Sequence, residues 1–450
     1  MTYQEFKEAV ILAAKEQNVT EYELYYSSEQ TLQMRSYKED IDSFSSSERG
    51  GVCFRCIVNG KAGYAATELF TKEAAEKLVG AAAANAGSIE TEDPVLLKEA
   101  GDTYPKAHDT KQPELSAASL KELTLKTQKQ LMQENDKVTD ASQVMTIYEK
   151  NERAIMNSKG LDLVHTGHMG VLYASAVLED QGEMYEGDQF ILDATGMQDI
   201  DYEKLASGVV DTAFSKIGAE VAESGKYTCV FSGKVMASLL QTFGSVFSLE
   251  TAQKGLSLLK GKEGSQIASE VLTLTDDPFL EGSCMQYPFD AEGTATYKKN
   301  VIENGKFMTF LSNLTTAAKA NQSSTGNAGR EGYASPIGIA PTNFYVQPGS
   351  LSFDKLLEQV GEGLYITELN GLHAGANPLT GDFSLAADGY RIRDGKKMGA
   401  VHHITVSDNF YGLLKKICAV ADTLEFGFPS GQSLYASPAV SIQELSIAGK

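Results

Sequence analysis

Six histidines and five cysteines are all that 450 residues offer in the way of soft metal ligands. The cysteines, Cys53, Cys56, Cys229, Cys284 and Cys418, are odd in number and widely spread. That pattern excludes a disulfide scaffold and predicts reduced thiols. Cys53 and Cys56 have C-x-x-C spacing, but they stand in an alternating, strand-like run. Positions three apart on a strand point to opposite faces, so the pair predicts neither a dithiol nor a zinc knuckle. The histidines are His108, His165, His168, His373, His402 and His403, and no two have the i,i+4 or i,i+5 spacing of a helical zinc motif. His165 and His168 are expected to point oppositely on a strand, and so are His402 and His403. Basic residues are also short, 39 against 60 acidic, for a net charge of −21. A phosphate backbone is repelled by that average field, so direct nucleic-acid contact is not expected. No run approaches the roughly 18 apolar residues of a membrane span. The first residues carry Glu5 and Glu8 where a signal peptide needs an apolar core, which predicts a cytoplasmic chain.

What is present reads as a soluble globular protein, with 42% hydrophobic and 22% charged residues. The length favours two domains. Thr2 and Glu5 predict a capping box on a first helix with Phe6, Val10, Ala13 and Ala14 on one face. Strand-like ELYYSS, TLQMRSY and GGVCFRCIVNGKAGYAAT follow, the last with an Asn59-Gly60 hairpin signal. Helices are expected at about Lys72–Ala86 and, after a connection containing Pro105 and Pro113, at about Leu115–Glu134, with Leu120, Leu123 and Leu131 inward. A second strand group over about 142–192 precedes a helix at about Tyr202–Glu220. The polar segment Ala222–Gly225 is the preferred boundary. Beyond it come short strands, hairpin signals at Asn304-Gly305 and Asp394-Gly395, and helices at about Gly233–Leu249, Phe353–Gly361 and Asn409–Val420. The expected class is α+β: an N-terminal α/β domain (1–222), then a β-rich, barrel- or sandwich-like C-terminal domain (223–450). No tandem repeat with a period of roughly 20–50 residues is visible.

A series of segments in the second half carries a likeness: AQKGLSLLKGKEGSQIAS, LTDDPFLEGS, YPFDAEGTAT with VIENGK, and STGNAGR. PTNFYVQPGS, GLYITELNGLHAGANPLTGDFSLAADGY and GQSLYASPAVSIQELSIAG follow. In this order they resemble the TldD/PmbA family. One branch of that family bears an HExxxH zinc motif and a Cys near the C-terminus. Here the two His positions fall on Gln241 and Val246, the Glu position on Thr242, and the Cys position near Gly427. Cys418 lies too far upstream. An amide is a poor zinc donor and a valine is none. The resemblance therefore implies the PmbA (TldE)-like branch: no catalytic residue and no metal in this chain, with zinc expected only in a TldD-like partner.

Other constellations are weaker. Asp276-Asp277-Pro278 and Asp290-Ala291-Glu292-Gly293 offer carboxylates for a cation or acid/base work, but also read as turn chemistry. No G-x-S-x-G elbow or Walker Lys-Ser/Thr is present. Asn327 and Arg330 in STGNAGR are substrate-channel candidates, Arg330 for a peptide carboxylate or carbonyl. So are His373, Asp382 and Ser384, which share a Gly-rich stretch. Three functions compete. The first is a non-catalytic subunit, in a heterodimer with a TldD-like chain or a homodimer, handling unfolded peptide. The second is a homodimeric hydrolase with a non-zinc site near His373 and Asp382, which substitution of His373 would silence. The third is a regulatory binder fitting the family label "modulator of DNA gyrase", which would hold gyrase without a TldD-like chain.

Overall fold

Thr2 starts the chain as its hydroxyl dictates, accepting the Glu5 N–H while Glu5 reaches back to the Thr2 amide. Helix α1 (Tyr3–Glu16) buries Phe6, Val10, Ala13 and Ala14. β1 (Tyr22–Tyr37), β2 (Asp40–Val58), β3 (Lys61–Thr67) and α2 (Lys72–Ser88) follow. The same order then returns as α3 (Ala117–Glu134), β4 (Val138–Asn157), β5 (Asp162–Asp180), β6 (Glu183–Asp193) and α4 (Tyr202–Ser215). The computed structural model describes residues 1–38, 40–88, 93–107, 116–193, 197 and 200–450. His108, Pro113 and Leu115 lie outside the described residues.

All six strands form one antiparallel sheet in the order β3-β2-β1-β4-β5-β6. β1 lies beside β4 at the centre, so two αβββα units meet about a pseudo-twofold axis. The paired strand-like runs of the sequence fuse into the long β1 and β4. Asn59 and Gly60 take the positive φ values of a type I′ turn, 52° and 77°. Gln181 and Gly182 do the same between β5 and β6, at 52° and 86°. Leu24, Val52, Phe54 and Cys56 face α1 and α2, while Val144, Leu172 and Ala174 face α3 and α4. The four helices therefore cover one face. The opposite face turns Tyr25, Arg55 and Ile155 toward the second half of the chain.

That half runs β7 (Gly225–Phe231), α5 (Gly233–Phe243), α6 (Leu249–Gln253), β8 (Leu274–Asp276), β9 (Lys299–Glu303), β10 (Lys306–Phe307) and α7 (Leu314–Lys319). It continues through the two-residue strands β11 (Ala328–Gly329) and β12 (Gly338–Ile339), then β13 (Asn343–Val346), α8 (Phe353–Val360), β14 (Gly363–Asn370) and α9 (Leu372–Gly375). It ends with β15 (Asp382–Arg393), β16 (Lys396–Asn409), α10 (Phe410–Lys416), β17 (Ile417–Val420), β18 (Glu425–Phe426), β19 (Leu434–Ser437) and β20 (Val440–Ala448). β16, β15, β14, β7 and β20 close into a five-stranded barrel, because β20 pairs with β7 along its length and with β16 near its end. A second sheet has the order β10-β9-β8-β13-β19-β18. One core joins them: Leu239, Leu240 and Phe243 of α5 with Leu364, Phe383 and Ile442 of the barrel and Phe344 of the second sheet. The expected α+β class and β-rich second half are observed, with the barrel in place of a sandwich.

Several local expectations give way to tertiary structure. Ile417–Val420, read as the end of a helix, is a strand on β20, where Ile417 and Val420 meet Ile442 and Val440. α5 stops at Phe243 rather than Leu249; Gly244–Phe247 tightens into a 3-10 turn and Ser248 is extended. α4 ends at Ser215, short of Glu220. His402 and His403 do not point apart. His403 has φ of 51° in a bulge opposite Asp388, and the two rings sit 4.2 Å from each other. The segment Ala222–Gly225 is clamped by the chain end, since Lys450 and Gly449 bond to Ala222 and Ser224. Among the described residues no helix is long and apolar enough to cross a membrane.

Candidate functional site

α5 is where a zinc motif would sit, and its local chemistry is that of a packing helix. The Ser232 hydroxyl caps it by accepting the Val235 N–H at 3.2 Å. Gln241 faces solvent on its last turn. The Thr242 hydroxyl is spent on the Ser238 carbonyl at 2.8 Å. Val246 is buried in the common core. Gly427 lies against the same helix: a Cβ built there would stand 3.3 Å from that of Ala237, and its N–H donates to Tyr435 O at 2.8 Å. The positions that the resemblance assigns to zinc binding thus lie on and beside α5, and they supply an amide, a committed hydroxyl, methyl groups and a hydrogen. Among the described residues no three His, Cys, Asp or Glu side chains gather as a metal site. This donor set does not fit zinc. Cys418 does not substitute, since its thiol donates to Lys416 O at 3.1 Å on β17.

The Gly-rich stretch folds over the C-terminal end of α5, held there by Phe383 against Phe243. Gly371, with φ of 84°, turns the chain into α9. Gly375 rests on the Ser384 carbonyl, where a side chain would collide. His373, Asp382 and Ser384 are all exposed. Asp382 accepts from Asn409 Nδ2 at 2.9 Å, and Asn409 and Thr380 hold its carboxyl below the usual range. The Ser407 hydroxyl donates to that of Ser384 at 2.9 Å. Among the described residues no hydrogen bond joins His373 to Asp382 or Ser384. The three share a surface without forming a relay.

Asn327 and Arg330 lie elsewhere, in the seam between the N-terminal sheet and the second half. Asn327 Nδ2 donates to Asp276 Oδ2 at 2.8 Å and to Ala340 O at 3.1 Å, and its oxygen accepts from Thr325. Asp276 is a buried hub that also accepts from Lys299 Nζ at 2.9 Å and from the amide and hydroxyl of Thr342. The Arg330 side chain is 0% exposed, stacked on Tyr25, with Nη2 3.6 Å from Glu23 Oε1. The exposed part of this residue is therefore main chain. Glu23 Oε2 accepts from Arg55 Nη2 at 2.9 Å, and Arg55 Nη1 lies 3.8 Å from Glu292 Oε1. The result is a buried row of alternating charge, Glu292, Arg55, Glu23 and Arg330, its two central members from the N-terminal sheet and its two ends from the second half. Sequence reasoning missed Glu23 and Arg55. The available signal was a charge inside the otherwise apolar run Val52–Cys56.

Burial pushes the Glu292 carboxyl up to about 7 against the pull of Arg55. Arg55 at 3.8 Å and the Leu314 N–H only partly offset that rise, to which the Asp290 and Glu23 charges add. Asp290 is raised to about 6, also by burial, although the N–H groups of Ala328, Glu292 and Thr294 favour its charge. Its turn chemistry is as the sequence suggested. Two clefts flank the row. One, of about 700 Å³, reaches Arg55 and Glu292 between β2, α6 and α7. The other, of about 580 Å³, separates the sheet residues Ser27, Thr31 and Ile147 from the loops around Tyr287 and Gln432.

Comparison with known proteins matches the whole of this architecture. Residues 224–449 match the PmbA/TldA metallopeptidase C-terminal domain, 22–86 domain 1 and 111–224 the central domain of the same family. A solved structure from Thermotoga maritima MSB8, described as a candidate modulator of a DNA gyrase, is 30% identical with a TM-score of 0.90, covering 99% of this chain and 100% of that one. TldE from Thermococcus kodakarensis has the same fold at 24% identity, with a TM-score of 0.89 over 98% of this chain and 99% of that one. The metalloprotease PmbA of Escherichia coli O157:H7 is 24% identical over 338 residues, 75% of this chain and 71% of PmbA.

Proposed function

This chain belongs to the PmbA/TldD metallopeptidase family, and from that premise we propose that it is a PmbA/TldE-like subunit without a metal centre of its own. It pairs with an HExxxH-bearing relative and helps to wall a chamber that admits unfolded peptide. One observation supports this reading above the others: around α5 the ligand positions hold Gln241, Val246 and Gly427, and the general-base position holds Thr242. Restoring a ligand at position 246 would put an imidazole into packed core, so the helix is committed to packing. Zinc, when bound in the partner, supplies carbonyl polarisation and a nucleophilic water. The present chain supplies walls and hydrogen-bond donors. His373, Asp382 and Ser384, exposed beside the end of α5, are the side chains proposed to meet peptide or partner. Arg330 and Asn327 are proposed to hold the seam that shapes the wall. Among the described residues no hydrogen bond links His373 to Asp382 or Ser384, and this counts against the independent hydrolase.

The test mixes the purified chain with an HExxxH-bearing family member and an unstructured peptide. Co-elution and chelator-sensitive cleavage, seen only in the mixture or strongly increased by it, are expected. A chain that alone binds stoichiometric zinc and cleaves the peptide with chelator sensitivity would overturn the proposal.

A further inference from the structure

β2 is 19 residues long, but β3 covers only the part from Val52 to Val58. At Thr67 β3 ends, and among the described residues no strand lies beside Asp40–Gly51 on the side away from β1. The hairpin turn fixes which main-chain groups are left over. In a two-residue type I′ loop, Val58 and Lys61 form the closing hydrogen-bonded pair, and every second residue back along β2 pairs with β3 in the same way. Continued past Val52, that alternation turns the N–H and C=O of Gly50, Glu48, Ser46 and Phe44 outward, while the residues between them bond to β1. The β1–β2 register runs unbroken from Cys56 to Ser43, so no bulge upsets the alternation. These four residues span roughly 20 Å of open edge.

Edges of this length are ordinarily blunted by lysine, proline or a bulge. Residues 43–51 contain none of these; they contain Ser43, Ser45, Ser46 and Ser47. A cavity of about 600 Å³ adjoins the open edge, lined by Tyr26 and Ser28 of β1 and Glu48, Arg49 and Gly50 of β2, and walled by Glu68, Phe70 and Tyr333. Tyr333 closes that wall by donating its hydroxyl to Glu68. The open edge of β2 therefore runs into this cavity at Glu48–Gly50.

We infer that this edge binds an extended, unstructured peptide as a seventh strand of the N-terminal sheet. Recognition runs through the peptide main chain and is therefore tolerant of sequence. The inference rests on the peptide-handling role proposed above and gives it a docking place away from α5. Charge selects the occupant. Glu48 and Glu68 outnumber Arg49 at the cavity, and each chain carries −21 overall. A second copy would bring acid against acid, whereas a neutral or basic peptide meets no such repulsion.

The experiment measures anisotropy of a short fluorescein-labelled peptide of alternating threonine and lysine against the full chain alone. Saturable binding is expected, and a scrambled peptide of the same composition should bind comparably. Ser46→Pro with Glu48→Pro removes two outward N–H groups without touching the bonds to β1, and should weaken binding about tenfold or more. Full N-methylation of the peptide should abolish binding by the unmodified chain. Methylation of alternate amides should not, because one strand edge remains free. This peptide arm decides the matter even where the proline variant fails to fold. No binding, binding indifferent to full methylation, or unchanged binding by the folded variant overturns the inference. So does a self-association that the prolines dissolve, since a second copy would then occupy the edge. Failure to pair with a metal-bearing relative, with edge binding intact, would instead strike only the subunit reading.

Discussion

Glu292 shows most sharply what a single residue can do in this seam. Its carboxyl is 2% exposed and pushed up to about 7 by burial, well above the ordinary glutamate range. A raised acid keeps its proton in the folded chain at pH values where the unfolded chain has released it. Its contribution to stability is therefore full below about pH 4.5 and falls as pH rises toward 7. Glu292→Gln should flatten that decline by on the order of 1–3 kcal/mol between pH 5 and 7.5, measured by urea midpoints across the range. An unchanged slope would show that Arg55 already keeps Glu292 ionised. His165 works with the opposite sign. Burial lowers its pKa to about 4, so it contributes stability above about pH 6.5 that is lost as pH falls through 4. The Glu292→Gln variant should keep that acid-side loss.

Between elements, the two αβββα units use the same device to bring a helix onto a strand. A Cβ on Gly63 of β3 would strike the Ala82 carbonyl of α2, and a Cβ on Gly187 of β6 would strike the Val209 carbonyl of α4. Gly63→Ala and Gly187→Ala should each cost about 1–3 kcal/mol through overpacking, read as matched falls in thermal midpoint. A neutral Gly187→Ala would mean that the two units are not packed equivalently. This symmetry was hidden in the sequence because only one of its hairpins announces itself. Asn59-Gly60 is a ready type I′ pair, whereas Gln181 takes φ of 52° under the pull of long flanking strands. Local signals were legible wherever the local chemistry decides: the Thr2–Glu5 box, the hairpins at Asn304-Gly305 and Asp394-Gly395, and the inward Leu120 and Leu131. They failed where a distant strand decides. Ile417–Val420 is apolar enough for helix or sheet, and only β20 selects the sheet. The absence of metal donors at Gln241, Thr242 and Val246 was legible one residue at a time. The seam was not, because Glu23 and Glu292 lie far apart in the chain and meet only across Arg55.

At the scale of the whole molecule, that meeting makes the two halves dependent on each other. Arg55 is 2% exposed and stands between two carboxylates from different halves. Burial opposes its charge, and Glu23 and Glu292 outweigh that cost, raising its pKa further. Removing the cation alone leaves Glu292 buried without a cation beside it and Glu23 with only Arg330, 3.6 Å away. Arg55→Met should therefore destabilise the chain by about 3–5 kcal/mol. The loss should be larger at pH 8 than at pH 6, because Glu292 takes up a proton near 7 and at pH 6 is no longer a buried charge without a cation. Adding Glu292→Gln to Arg55→Met should recover much of the stability lost at pH 8 and little at pH 6, where that carboxyl is already largely neutral. Urea unfolding of the three variants at both pH values measures this directly. If Arg55→Met is as stable as the unmodified chain at pH 8, the buried row does not hold the halves together, and the apolar contacts of Tyr25 and Ile155 with Phe289 carry the seam alone.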